Sequence, residues 1–174
     1  MFRRLHIGGV IKTSGWEVLN ANPAPYVDHV CEANKLGQFD DNTFVEIYAS
    51  HIVEHFDYVN ELHEVLKEWN RVLKPRGKIY ISVPDLDVLA KLFIDKTKLT
   101  ALERFQIMRM IYGGHVDKYD YHAVGLNEEF LTSFLKAAGY VNLKRVKKFD
   151  ISNDTNTMLV KGVAISLNMI AEKP

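Results

Sequence analysis

The chain has 174 residues, 47% hydrophobic and 25% charged, which is the composition of a folded domain with its own core and excludes a disordered chain. Its 22 basic residues balance 22 acidic ones, so no overall field draws it to nucleic acid or an anionic membrane. No stretch nears the roughly 20 apolar residues of a membrane span, and the single cysteine, Cys31, excludes an internal disulfide.

In chain order, "RLHIG" (4–8) reads as a strand running into glycines. "WEVLNA" (16–21) and "VDHVC" (27–31) are weaker strands, separated by the helix-breaking "NPAP". "TFVEIYAS" (43–50) is a strand rich in β-branched and aromatic residues. Over 58–73, Leu62, Val65, Leu66, Trp69, Val72 and Leu73 recur at three- and four-residue spacing, which predicts a helix with one apolar face. "KPRG" is expected to stop it, with Gly77 easing the turn, before the buried strand "KIYISVP" (78–84).

Strand, helix and strand in this order form a βαβ unit with a parallel pair. Residues 85–114 read as mostly helical, followed by the loop "HVDKYDYHAVG" (115–125). A further helix is expected from the N-cap Asn127 to Gly139. "VNLKRVKKF" (141–149) and "GVAISLNMIAEK" (162–173) are expected as final strands paired antiparallel. Lys144, Arg145, Lys147 and Lys148 are read as a solvated basic face.

The fold class that follows is α/β, a Rossmann-like, doubly wound and mostly parallel sheet with an antiparallel final strand. A single domain over 1–174 is expected, with 85–126 as a helical and loop insertion covering the substrate. In such sheets ligands bind beyond the carboxyl ends of the strands, near the reversal of strand order. Polar residues or glycines stand at each of those ends here.

The run "FDDNTFVEIYASHIVEHF", followed by "LKEWNRVLKPRGKIYISVPD", resembles the fourth- and fifth-strand region of class I S-adenosylmethionine-dependent methyltransferases. The resemblance is to the small type-11-like subgroup often encoded beside glycosyltransferases, and it runs from Leu5 to the C-terminus. "YGGHVDKYDYHAVGLNEEFLTSFLKAAGY" and "ISLNMIAEKP" share it. It implies S-adenosylmethionine as cofactor. His6, Gly8 and Gly9 would approach its methionine part, where glycine lets the backbone come close. Asn20, with Asn22 as the other register, takes the ribose position usually held by an acid. Glu32 and Ala33 take the adenine position, and Ser50 and His51 line the methionine end. The usual acidic-x-G-x-G-x-G loop is reduced to "HIGGVIKTSG". The first strand also opens the chain, where many relatives carry a helix ahead of it.

His51, Glu54 and His55 spell H-x-x-E-H, also a zinc-peptidase pattern. Zinc would need His51 and His55 on one helical face plus a third ligand, for which His63, His115 and His122 are available. The pair instead opens the turn after a buried strand. No metal ligand is therefore assigned, and Glu54 and His55 are expected to fix the turn and the next helix.

Methyl transfer needs a nucleophile aligned with the sulfonium methyl, and an oxygen acceptor also needs a base. His122 is the first candidate and His115 the second, since an imidazole exchanges protons near neutrality. The expected reaction is methylation of a small-molecule or saccharide acceptor at oxygen, in the cytoplasm, with neither nucleic acid nor membrane as partner. The alternative is a degenerate methyltransferase fold that works as a binding scaffold. A metal-dependent hydrolase ranks third. Met108, Met110 and Ile111 are read as an exposed face for a partner, with a homodimer as the candidate assembly.

Overall fold

The computed structural model describes residues 2–174. Short strands come first: β1 (Arg3–Ile7), β2 (Glu17–Asn20), β3 (His29–Val30) and β4 (Phe44–Ser50). Helix α1 (Glu61–Val72) leads into β5 (Leu73–Pro84). Helices α2 (Leu86–Ile94), α3 (Ala101–Tyr112) and α4 (Glu128–Ala137) follow, then β6 (Val141–Val146). A small hairpin of β7 (Leu159–Val160) and β8 (Val163–Ala164) precedes β9 (Ser166–Glu172).

The main sheet has the order β3-β2-β1-β4-β5-β9-β6. All its pairs are parallel except those of β9, which is antiparallel to both β5 and β6. Strand order reverses between β1 and β4, and that reversal opens a crevice above their carboxyl ends. No helix among the described residues is long and apolar enough to cross a membrane.

Alternation along β4 and β5 sorts the core. Ile47, Ala49, Ile79 and Ile81 pack with Leu62, Val65, Leu66, Trp69 and Val72 of α1, and Leu131 and Leu135 of α4 join them. The Tyr140 hydroxyl ties the end of α4 to α1 by donating to the Leu66 carbonyl at 3.2 Å. Trp16, Tyr48 and Phe149 form a separate cluster with Tyr80, and that cluster draws no residue from a helix. From Gly8 to Trp16, joining β1 to β2, the chain runs as turn and loop without a helix.

Several elements depart from the sequence reading. β3 is only two residues long. "KPRG" lies within β5, whose pairing with β4 starts at Leu73. The left-handed residue there is Arg76 (φ 61°) and not Gly77, where an added Cβ would meet the Lys74 carbonyl at 2.7 Å. The Lys173 ammonium caps the end of α1 instead, donating to the Asn70 and Leu73 carbonyls at 2.8 Å each. Val163 and Ala164 pair with β7, so the final strand begins only at Ser166. Met110 and Ile111 pack partly buried against Leu89, Leu99, Ile107 and Ile165; the exposed apolar residues of α3 are Leu102, Phe105 and Tyr112. Asn127 does cap α4, accepting from the Phe130 N–H.

Segment 85–126 leaves and rejoins the sheet at one point. Asp85 and Leu126 form a bridge there, and the Leu86 N–H donates to the Leu126 carbonyl. Buried Asp85 anchors the departure: its carboxylate accepts from the Asp87 and Val88 N–H groups at the start of α2 and from Arg145 Nη2 at 2.7 Å.

Candidate active site

A cavity of about 480 Å³ opens over the carboxyl ends of β1 and β2. That is the size of an ordinary cofactor or small-molecule site. Gly8, Asn20, Glu32 and Ala33 line one side. Ile52, His55 and Phe56 come from the turn after β4, while Tyr119, Tyr121 and His122 come from the 85–126 segment. A larger hollow of about 650 Å³ runs along the charged flank of α1, among Glu64, Lys67, Glu68 and Arg71, and reaches the strand ends only at Asn34.

Gly8 has φ +75°, and a Cβ there would lie 2.0 Å from Ile52 Cδ1. Its N–H donates to the Leu19 carbonyl at 2.8 Å, which pins the turn to β2. The Asn20 amide braces the same turn: Nδ2 donates to the Gly9 carbonyl at 3.1 Å while Oδ1 accepts from the Asn22 N–H at 2.9 Å. The Gly9 contact needs a donor, and an aspartate in this position would lack it. Half-buried Glu32 pairs with Lys35 at 2.6 Å, and that bond holds its carboxyl below the usual range. The Ala33 carbonyl accepts from Trp69 Nε1 at 2.8 Å, so α1 supports the cavity floor directly.

The remaining cofactor candidates lie outside the cavity wall. His6 is buried under the turn, its Nδ1 2.9 Å from Thr13 Oγ1 and its ring 4.7 Å from the Tyr48 ring; Gly9 packs over it. Ser50 donates to Asp154 at 3.0 Å. His51 follows β4 in the left-handed region (φ 55°), and its Nε2 lies 3.0 Å from Ser166 Oγ. Burial pushes the His6 and His51 imidazoles down to about 4, so both are neutral at physiological pH.

The sign of the His6 effect follows from linkage. Below its ordinary value of 6.5 the unfolded chain takes up a proton that the folded chain refuses until about pH 4. Stability is therefore full above pH 6.5 and falls as the pH drops through that window, by about 3 kcal/mol for this one group. Urea midpoints measured at falling pH should show the loss, and His6→Gln should flatten it.

Among the catalytic candidates, His122 lines the cavity and His115 does not. The His115 ring stacks on Tyr121 at 4.0 Å, and its Nε2–H donates to the Tyr112 carbonyl at 2.8 Å. His122 is partly buried, which lowers its pKa, and its ring centre lies 4.9 Å from that of His55. The sequence reading gave His55 a structural part; the structure sets it in the cavity wall, and the Glu54-His55 doublet was the available signal. Glu54 itself is 1% exposed, and burial pushes its carboxyl up to about 8. Its carbonyl accepts from the Ala123 and Val124 N–H groups, stitching the inserted segment to the turn after β4.

Residues 14–81, from just before β2 into β5, match the methyltransferase-domain family. No curated protein matches the chain in sequence. An Archaeoglobus fulgidus S-adenosylmethionine-dependent methyltransferase superposes with a TM-score of 0.58 at 20% identity, covering 99% of this chain and 86% of its own. The 1,6-didemethyltoxoflavin-N1-methyltransferase of Burkholderia thailandensis, solved with S-adenosylhomocysteine and its substrate, gives 0.61 at 15% identity, covering 99% and 71%. A possible exported protein of Bordetella parapertussis also gives 0.61, at 14% identity, covering 99% of this chain, which spans 63% of that protein's length. The matched segment and the strand order agree with these superpositions, which give the chain the fold of S-adenosylmethionine-dependent methyltransferases.

Proposed function

We propose that the chain methylates a hydroxyl oxygen of a small-molecule or saccharide acceptor, held between the strand ends and the 85–126 segment acting as a lid. One observation carries this reading: a single cavity joins Gly8, Asn20, Glu32 and Ala33 on one wall to His55, Tyr119, Tyr121 and His122 on the other. The first wall is assigned to the cofactor. Gly8 lets the backbone approach the methionine part, Asn20 faces the ribose, and Glu32 with the Ala33 N–H serves the adenine. His6, Gly9, Ser50 and His51 shape that wall from beneath it.

The second wall is assigned to the acceptor. Exposed Tyr119 and Tyr121 offer aromatic faces for a sugar ring or another flat acceptor. An acceptor hydroxyl gives its proton to the imidazole pair, with His122 as the first receiver. S-adenosylmethionine, held by Gly8, Asn20, Glu32 and Ala33, would supply an activated methyl group to that oxygen and would leave as S-adenosylhomocysteine. Alignment and exclusion of water by the lid supply the acceleration.

Calorimetric titration of the metal-free protein with S-adenosylhomocysteine tests the assignment. Micromolar binding is expected, weakened about tenfold in Asn20→Ala, the worth of one or two hydrogen bonds. No binding up to millimolar concentration by a folded protein would overturn it in favour of a scaffold. The glycine loop shortened to "HIGGVIKTSG" and Asn20 in place of an acid are the features that reading would rest on.

A further inference from the structure

Glu54, His55 and His122 each bring one ligating atom to within 4.8 Å of the others. What these groups offer one another is lone pairs. Neither Glu54 carboxyl oxygen has a hydrogen-bond partner among the described residues, although the side chain is buried. The nearby imidazole of His51 does not supply one. Ser166 Oγ donates its proton to the Thr155 carbonyl at 2.8 Å, so it accepts from His51 Nε2–H. That leaves a bare Nδ1 lone pair of neutral His51 3.4 Å from Glu54 Oε1.

His55 resolves in the same way. Its Nδ1–H donates to the Tyr121 carbonyl at 3.0 Å, so its Nε2 keeps a free lone pair. A proton on the buried Glu54 carboxyl, or a metal ion in its place, is what such facing lone pairs require.

We propose that Glu54, His55 and His122 bind a first-row divalent transition metal at the acceptor end of the cavity. Two imidazoles and a carboxylate are the donor set of catalytic zinc sites and of facial-triad sites for other metals, both of which keep open positions. Here the open positions face the cavity, because His55 and His122 line it. Carbonyl partners on the far side of ligand imidazoles are the usual outer support of such sites. The metal would hold the acceptor oxygen and ease loss of its proton, with His122 as ligand in place of proton receiver. That last consequence rests on the methyl-transfer reading; the metal site does not.

Metal-stripped full chain is titrated with Zn²⁺ by calorimetry and with Co²⁺ by visible absorption. One equivalent should bind, and Co²⁺ should develop the intense bands of a low-coordinate site. His122→Ala and Glu54→Gln should each weaken binding by about 100-fold or more. His63→Ala, on the outer face of α1, should leave it unchanged. Absence of stoichiometric binding, or binding that survives both substitutions, overturns the proposal. If Glu54→Gln does not fold by circular dichroism, His122→Ala decides, because His122 is only partly buried. S-adenosylhomocysteine binding in the same metal-free sample separates the two readings. Cofactor without metal removes the metal site and leaves methyl transfer standing; metal without cofactor supports the site and removes methyl transfer.

Discussion

Trp69→Ala should destabilise the protein by about 3–5 kcal/mol, the range for truncating a buried aromatic, and lower the melting temperature by roughly 10 °C. Trp69 is fully buried on the inner face of α1, against β4 and β5. Its loss opens a cavity at the centre of the main core and leaves the Ala33 carbonyl without its donor. Because Ala33 belongs to the cavity wall, the defect should also reach the ligand. Trp69→Phe separates the two effects. It should recover most of the stability, since a ring still fills the space, while S-adenosylhomocysteine affinity stays several-fold down because the indole N–H is gone. Urea unfolding and calorimetry on the two variants would read both.

Gly8→Val should abolish cofactor binding, by about 100-fold or more, with a smaller loss of stability. Two penalties combine at this residue. Its φ of +75° is costly for a β-branched side chain, and the new Cβ would sit 2.0 Å from Ile52 Cδ1. The turn must unwind or Ile52 must move, and both line the cavity. Gly9→Ala is the matched control. Its Cβ would press on His6 Nδ1 and Val18 Cγ1 at 2.9 Å, beneath the turn and outside the cavity. It should cost stability and weaken binding far less. Equal losses of affinity in the two variants would show that the turn, and not the Gly8 position, sets cofactor binding.

The central βαβ unit was legible because its signals are local. A run rich in β-branched and aromatic residues marks β4, and a three-four spacing from Leu62 to Val72 marks α1. The extension of β5 through "KPRG" was not legible. It depends on pairing with Phe44 across the sheet and on Lys173, 100 residues away from the Leu73 carbonyl it holds. In the site, a strand running into glycines marked Gly8, and the family resemblance marked Asn20; both line the cavity. Ser50 and His51 were set at the cofactor by the resemblance, from their place at the end of β4. One left-handed residue straight after β4 sends the His51 ring toward Ser166, and the chain then brings His55 to the cavity wall instead. A single backbone torsion of that kind leaves no mark in composition or periodicity.

The position of β9 bears on the order of folding. β6 touches the main sheet only through β9, which comes later in the chain and must insert between β6 and β5. Until residues 166–172 are available, β5 presents a bare edge and β6 has no partner, so the sheet closes through a long-range step that favours slow folding. β6 is suited to the wait. It is short, mostly exposed and carries Lys144 and Arg145, the kind of charged strand that resists pairing with another chain. β5 is far more apolar, and its unpaired edge, Ile79 to Val83, is where aggregation of a half-made molecule would begin.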